Sequence, residues 1–152
     1  MAATQDIRDI FSILHDGTIS GCTGDKELLT LTVDCEYLAE RIDKSFDLFY
    51  VYLINVNKLE LDPWTNPIDL PTIIKKDYQE IFKAGLEILS AEIKDDDVVI
   101  TCNQHDTSFD YFGGNLTINS QAIKVSDQNK NELTIEQFGE ICKNYWKGWS
   151  KK

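Results

Sequence analysis

Nine consecutive residues, 29–37, alternate between apolar and polar side chains, and this pattern constrains the fold more than any other. The apolar members are Leu29, Leu31, Val33, Cys35 and Tyr37. Successive side chains of a strand point to opposite faces of a sheet. Strict alternation therefore predicts a strand with one buried face and one solvated face. Residues 18–23 are predicted to pair with this strand through a turn at residues 24–26.

A second, longer strand is predicted over residues 46–61, where apolar, aromatic and β-branched side chains occupy both phases. This composition indicates a central strand that is covered on two sides and bent near residues 55–57. Residues 62–67 include Pro63 and Pro67. We expect them to end the strand, because proline cannot donate a hydrogen bond to a neighbouring strand.

The period of two returns in the second half of the chain. Residues 86–93 and 98–102 predict a hairpin with its turn at residues 94–97. Residues 109–112 and 116–125 predict one or two further strands. Between them, Gly113-Gly114-Asn115 is typical of a turn or a β-bulge.

Three helices are predicted. The first has an apolar stripe at helical spacing, formed by Ile7, Ile10, Phe11 and Leu14, and Gly17 is expected to end it in a left-handed conformation. The second begins near Thr72 and stops at Gly85. The third begins at a capping box of Thr134 and Gln137. Its apolar stripe is Ile135, Phe138, Ile141, Cys142, Tyr145 and Trp149.

Together these elements predict one α+β domain over residues 1–152. Its sheet is expected to be mostly antiparallel, with about six to seven strands, and its three helices to be N-terminal, central and C-terminal. Runs of consecutive strands between helices favour this arrangement over a parallel sheet of alternating strands and helices.

The net charge of the chain limits the classes of partner that it can bind. The formal net charge is −11. A strongly acidic protein is a poor match for nucleic acid, which demands clustered Lys and Arg, or for an anionic membrane surface. It can instead attract a basic protein. The N-terminal residues lack the basic start and apolar stretch of a signal peptide, so we expect a cytoplasmic protein.

The four cysteines give no sign of a metal centre. Cys22, Cys35, Cys102 and Cys142 lie far apart and form no C-x-x-C pair. The last three occupy apolar positions, which predicts buried free thiols. Phosphate-binding glycine motifs are absent from the sequence. No cofactor and no metal is therefore predicted.

Two histidine–aspartate pairs are the candidate catalytic residues: His15 with Asp16, and His105 with Asp106. If the fold brought them together, they could bind a divalent metal or act as general acid and base. The structural alternative places His15 at the end of the first helix and Asp16 in an ordinary turn. It places His105 and Asp106 in a polar loop between two strands.

Two tryptophans are candidate interaction residues. Trp64 lies in the segment that contains the prolines, and Trp146 lies off the apolar stripe of the last helix, among lysines. An exposed tryptophan is a common anchor at interfaces. Either ring can also be explained as a partly buried plug at the edge of the core.

Part of the chain resembles small uncharacterised bacterial domains and, more loosely, immunity proteins of bacterial toxin systems. The residues that carry the resemblance are Phe11-Ser12-Ile13-Leu14-His15-Asp16-Gly17-Thr18-Ile19, the alternating strand after them, Tyr37-Leu38-Ala39-Glu40 and Pro63-Trp64. The resemblance covers about the first half of the chain, and no functional residue can be transferred from it. It implies a compact α+β domain that binds and blocks a toxin.

Three hypotheses follow. The first is a non-enzymatic protein that binds a basic macromolecule, with an immunity-type inhibitor of a basic toxin as its specific form. The second is a small metal-dependent hydrolase that uses the two His–Asp pairs. The third is a pocket on the sheet for a small apolar ligand.

Overall fold

The computed structural model describes residues 3–65, 73–109 and 111–150. In chain order the elements are α1 (Thr4–Ile13), β1 (Thr18–Gly24), β2 (Leu28–Asp34), α2 (Glu36–Ala39), β3 (Leu48–Thr65), α3 (Tyr78–Phe82), β4 (Leu86–Lys94), β5 (Asp97–Asn103), β6 (Tyr111–Ser126), β7 (Glu132–Leu133) and α4 (Ile135–Ser150). The described residues thus form an α+β fold with an antiparallel sheet of seven strands and four helices. The predicted class and strand number are confirmed, and the predicted number of helices was one too few.

The sheet closes on itself. Its strands follow the order β3-β2-β1-β4-β5-β6-β7, and β3 also pairs with β6. The strand predicted over residues 46–61 begins at Leu48, and its first part, residues 48–54, holds the predicted central position with β2 on one side and β6 on the other. The ring is completed by two residue pairs between β1 and β4, Thr18 with Glu87 and Ile19 with Leu86. We call this short contact the β1–β4 seam.

The inner face of the ring is the core of the protein. Val33 lies opposite Phe49, and Leu31 lies opposite Val51, which in turn lies opposite Val125 on β6. All five side chains are buried. The alternation of residues 29–33 thus places its apolar phase inside the ring, as predicted.

The outer face of β3 is less covered than the sequence suggests. Tyr50, Tyr52 and Ile54 are half-buried there, so the predicted cover on both faces is wrong for one of them. Polar contacts are made by both aromatic residues on this face: the Tyr52 hydroxyl bonds the Ser126 hydroxyl at 2.9 Å, and Lys130 Nζ lies 5.8 Å from the centroid of the Tyr50 ring. The predicted bend is confirmed by the positive φ of 52° at Asn55 and by a register shift just after it.

The end of β3 corrects a second prediction, because the strand continues through Pro63. Pro63 pairs with Gly114 of β6. Leu61, two residues earlier and therefore of the same phase, donates its N–H away from β6, to the Lys75 carbonyl oxygen at 2.9 Å. The ring nitrogen of Pro63 thus faces the side of the strand where β6 needs no donor, which is where a strand tolerates proline.

The predicted strand over residues 29–37 ends early, and α2 takes its last two residues. β2 stops at Asp34, and the helical residues that follow bury Leu38 and Ala39. Cys35, Leu38, Ala39 and Ile42 have the i, i+3, i+4, i+7 spacing of a helix. This signal overlaps the period of two at Cys35, and burial of Leu38 and Ala39 favours the helix.

The middle helix is shorter than predicted. α3 contains only Tyr78–Phe82, and the Asp77 side chain caps it by accepting from the Glu80 N–H at 3.1 Å. The predicted start at Thr72 lies outside the described residues. Lys75 instead bridges to β3. Gly85, with a φ of 70°, follows the helix as expected.

The predicted hairpin is confirmed, and the strands after it merge into one. Lys94 pairs with Asp97 around a tight turn in which Asp95 has a φ of 58°. β6 runs without a break from Tyr111 to Ser126. Gly113, with a φ of 154°, lies where the register between β3 and β6 shifts, so the predicted turn or bulge is a bulge.

All four cysteines are free thiols. Cys35 and Cys102 are buried as predicted, and burial raises the pKa of each thiol to about 12. Cys142 is half-buried, not buried, because α4 lies at the edge of the core. Cys22 is also half-buried, and desolvation raises its pKa.

The last helix begins as predicted. The Thr134 hydroxyl accepts from the Gln137 N–H at 3.0 Å, and the Gln137 amide oxygen accepts from the Thr134 N–H at 2.9 Å. Phe138 is buried, and its ring meets Phe49 edge-on at a centroid distance of 5.0 Å. This contact fastens α4 to the inner face of the sheet.

Candidate functional site

The turn after α1 places the first candidate pair. The Asp16 N–H donates to the Ile88 carbonyl oxygen on β4 at 2.7 Å. Asp16 holds the left-handed conformation that the sequence assigned to Gly17, with a φ of 69°. Gly17 is required for another reason: a Cβ there would lie 2.9 Å from the Leu14 carbonyl oxygen. Aspartate adopts the left-handed region more readily than most side chains, so the correction is physically consistent.

The ring of His15 is fixed by contacts on several sides. Its Nδ1 donates to the Ser12 carbonyl oxygen at 2.9 Å. Its backbone oxygen accepts from the Tyr37 hydroxyl at 2.7 Å. The ring stacks on Trp146 at a centroid distance of 5.6 Å and an interplanar angle of 13°. His15 therefore serves as a packed partner of aromatic side chains.

Four rings from three separate segments meet at this point, and we call them the aromatic cluster: His15, Tyr37, Tyr145 and Trp146. Tyr37 and Tyr145 meet edge-on at 4.7 Å, and Tyr145 and Trp146 at 5.1 Å. Tyr37 also contacts Trp146 at 6.3 Å. Burial raises the pKa of the Tyr37 hydroxyl, so this group stays a neutral donor to His15.

Trp146 is the exposed member of the cluster, with 40% of its surface accessible. One face of its indole is covered by His15. Its exposure agrees with the prediction that it lies off the apolar stripe of the helix. An exposed indole held by three other rings is already ordered, so little side-chain entropy remains to be lost when a partner binds.

Carboxylates surround the cluster on the side of α2. Glu36 and Glu40 are exposed on the helix that supplies Tyr37, and the Asp16 carboxylate lies 4.0 Å from the His15 ring. Residues 34–47 hold five carboxylates against Arg41 and Lys44, a net charge of −3. The helix that supplies Tyr145 and Trp146 also carries exposed Lys143 and Lys147, so both signs of charge occur on the elements that form the cluster.

Arg41 shows how a cation can bind at this surface. Its guanidinium carbon lies 5.4 Å from the centroid of the Tyr145 ring. That distance is within the range at which a cation is attracted to the face of an aromatic ring. The protein thus already contains an arginine–aromatic contact beside Trp146.

Trp64, the second candidate, lies at the end of β3. It is half-buried, and its ring lies against Gly113, where a Cβ would come within 2.9 Å of the indole. Phe112, which is 46% exposed, contacts it at 6.1 Å. Trp64 thus covers the bulge of β6 and is neither fully core nor fully exposed.

The second His–Asp pair lies in the loop after β5. His105 Nε2 bonds Glu87 Oε1 at 3.0 Å. The Asp106 carboxylate accepts from both the N–H and the hydroxyl of Ser108, and these hydrogen bonds lower its pKa. The buried Gln104 side chain shapes this loop by donating to the backbone oxygens of Asp106, within it, and of Tyr111, the first residue of β6. The loop assignment for this pair is confirmed.

Each pair makes one contact to β4. Asp16 bonds Ile88, and His105 bonds the side chain of Glu87, one residue earlier. Among the described residues, no hydrogen bond or ion pair joins the first pair to the second. The same residues hold no group of three or more His, Cys, Asp or Glu side chains that could bind a metal ion. The hydrolase hypothesis stays a prediction without a contact to support it.

Two clefts on the surface are large enough to test the hypothesis of a small-ligand site. One of about 470 Å³ between β1 and α3 is lined by Ser20, Gly21, Cys22, Gln79, Glu80, Phe82 and Lys83. Another of about 680 Å³, beside the β4–β5 turn, is lined by Thr4, Gln5, Asn57, Ile93, Asp95, Asp96 and Asn119. The lining of the first cleft is mostly polar or charged, which does not favour an apolar ligand. The second cleft is lined mainly by polar residue types, but its exposed surface is more apolar than polar.

Trp146 and His15 were predictable as candidate residues from the sequence, whereas Tyr37 and Tyr145 were not predictable as members of one site. The alternation of residues 29–37 predicts a strand at Tyr37. The helical spacing of the apolar residues between positions 35 and 42 is the signal that predicts a helix there instead. Tyr145 was placed on the buried stripe of α4, and it is half-buried there. No pattern in the sequence brings residues 15, 37 and 145 together.

No helix within the described residues is long and apolar enough to cross a membrane. Comparisons with protein-family models, with curated proteins and with solved structures gave no match to this chain. The resemblance to immunity proteins therefore stays a prediction, and the geometry of the aromatic cluster carries the functional argument.

Proposed function

We propose that this chain binds a basic protein partner through the aromatic cluster and the carboxylates of α2. The observation that carries the proposal is the exposed indole of Trp146, which stacks on His15 and contacts Tyr37. Tyr37 belongs to α2, whose Glu36 and Glu40 are exposed. Tryptophan and arginine dominate the energetics of protein interfaces. An arginine of the partner can contact the exposed part of the Trp146 ring while its charge faces the carboxylates.

The net charge of −11 supports this function in a second way. A long-range negative field accelerates the encounter with a basic protein and makes association sensitive to ionic strength. The aromatic cluster and the carboxylates of α2 then determine where on the surface the partner binds. An immunity-type inhibitor is the specific form that the resemblance suggests, in which the bound partner is a basic toxin.

The experiment is a titration of the ¹⁵N-labelled full chain with a short arginine-rich peptide, followed by two-dimensional NMR. We expect the largest shifts at the indole N–H of Trp146 and at the backbone of α2, and smaller shifts at high salt. Trp146→Ala and the double variant Glu36→Gln/Glu40→Gln should each weaken binding several-fold.

The matched control is Glu92→Gln/Asp96→Asn, which removes two exposed carboxylates from the β4–β5 hairpin. Its net charge equals that of the α2 variant, so it separates a local contact from the general field. Equal weakening by the two double variants, or shifts spread over every acidic segment, would refute a site at the cluster.

A further inference from the structure

One face of α4 is covered by little of the protein. Among the side chains described on this helix, Phe138 alone is fully buried. Ile141 is half-buried, and so is Leu133 of the adjoining β7. A shallow groove of about 480 Å³ runs along this face, lined by Leu133, Glu136, Gln137, Glu140, Ile141 and Asn144.

A line of charges borders the groove. Glu136, Glu140, Lys143 and Lys147 follow each other at intervals of four, three and four residues, so they form one stripe along the helix. All four are exposed. The first half of the stripe is acidic and the second half basic. In the described part of the chain, Glu136, Glu140 and Lys143 form no ion pair.

The helix dipole explains part of this pattern, since it favours acids near the start of a helix and bases near its end. It does not explain why the four charges lie on one line while the neighbouring exposed positions carry the neutral Gln137 and Asn144. Like charges four residues apart repel each other within a helix. Within α4 this repulsion is offset in part by the attraction between Glu140 and Lys143, three residues apart, and opposite charges on a partner would relieve it further.

We propose that α4 pairs in antiparallel orientation with α4 of a second copy of this chain. The two-fold axis passes between Ile141 and Cys142, the midpoint of the stripe. Glu136 then lies opposite Lys147 of the second copy, and Glu140 lies opposite Lys143 of the second copy. Each residue has its symmetric counterpart, as an interface between two identical surfaces requires.

The same pairing covers the groove. Ile141 lies beside the axis, so the two Ile141 side chains approach each other and lose their exposure to water. This inference uses other side chains than the aromatic cluster and goes beyond the proposed function. Because a single helix from each copy supplies the contact, the interface is small and the dimer transient. Its ion pairs are exposed, so it should weaken as salt is added.

The test is sedimentation equilibrium on the full chain, at concentrations up to about 1 mM in low salt, with a dissociation constant expected on the order of 100 μM. We expect the mass to rise from that of the 17.4 kDa monomer toward twice that value. E136K/E140K makes the stripe wholly basic, and K143E/K147E makes it wholly acidic. Each variant alone should remain monomeric.

Two further samples make the charge pattern decisive. The fourfold variant E136K/E140K/K143E/K147E restores complementarity with reversed signs and should dimerise again. An equal mixture of the two double variants should form a heterodimer. The control E92K/D96K changes the net charge as much as E136K/E140K and should dimerise as the wild type does.

Folding of each variant is checked by far-UV circular dichroism, and a misfolded reversal is replaced by the neutral pair E136Q/E140Q, expected to weaken the dimer about tenfold. A constant monomer mass for the wild type overturns the proposal. So does a double variant that dimerises like the wild type, or a mixture that forms no heterodimer.

Discussion

Phe138→Ala should be among the most destabilising single changes in the protein, because this is the one fully buried side chain described on α4. The ring is fully buried and meets Phe49 edge-on at 5.0 Å. Truncating a buried phenylalanine to alanine costs about 3–5 kcal/mol. The lost edge-to-face contact accounts for about 0.5–1.5 kcal/mol of that figure. A domain of this size has a free energy of unfolding of about 5–15 kcal/mol, so a large share of it would be lost.

The matched control is Ile141→Ala on the same helix. Ile141 is only half-buried, so its truncation should cost about 1 kcal/mol or less. Both variants are measured by urea unfolding at a low protein concentration, where a dimer through α4 would be dissociated. If Phe138→Ala cost no more than Ile141→Ala, α4 would not be held to the sheet as the contact with Phe49 indicates.

Three other predictions concern the core and the sheet. Gly17→Ala should destabilise the fold by about 1–3 kcal/mol, since its Cβ would press on the Leu14 carbonyl oxygen. Gly21→Ala, with open space around its Cβ, should be nearly neutral in the same urea experiment, and equal costs would contradict this reasoning. Hydrogen bonding from Asn119 and the ion pair with Lys58 lower the pKa of Asp97. Its carboxylate thus stabilises the fold at neutral pH and loses that effect as the pH falls through its folded pKa, below about 4. Asp97→Asn should therefore be less stable than the wild type at pH 7 and show a smaller loss on acidification; parallel stability–pH curves would count against it. Buried Cys102, with its pKa raised to about 12, should react with a thiol reagent at pH 8 only as fast as the protein unfolds, and rapid labelling without denaturant would contradict its burial.

The parts of the fold that were predictable are those where a local pattern and the tertiary environment agree. The strand before α2, the β4–β5 hairpin and the capping box of α4 each follow from residues close in sequence. Prediction failed where two sequence patterns overlapped, or where the tertiary environment determined the secondary structure. Residues 35–37 fit both a strand and a helix, and burial of Leu38 chose the helix. Pro63 is compatible with a strand because its nitrogen faces away from β6, which a sequence does not show.

The candidate site was predictable only in part, for a related reason. Trp146 could be identified because it departs from the apolar stripe of its helix. The neighbours that order it come from residues 15 and 37, which are more than a hundred positions away in the chain. Contacts between residues so far apart in the sequence depend on how the sheet closes, and local periodicity does not predict them.

The β1–β4 seam has a consequence for how the molecule opens. Only two residue pairs join these strands, although their sequence separation makes this contact expensive in chain entropy. We expect this closure to form late in folding and to open before the long β3–β6 ladder does. The turn that carries His15 is tied to the same strand through Ile88. A ligand that binds the indole stacked on His15 would therefore also stabilise the β1–β4 seam. It should slow hydrogen exchange at residues 86–88, which the ligand itself does not contact.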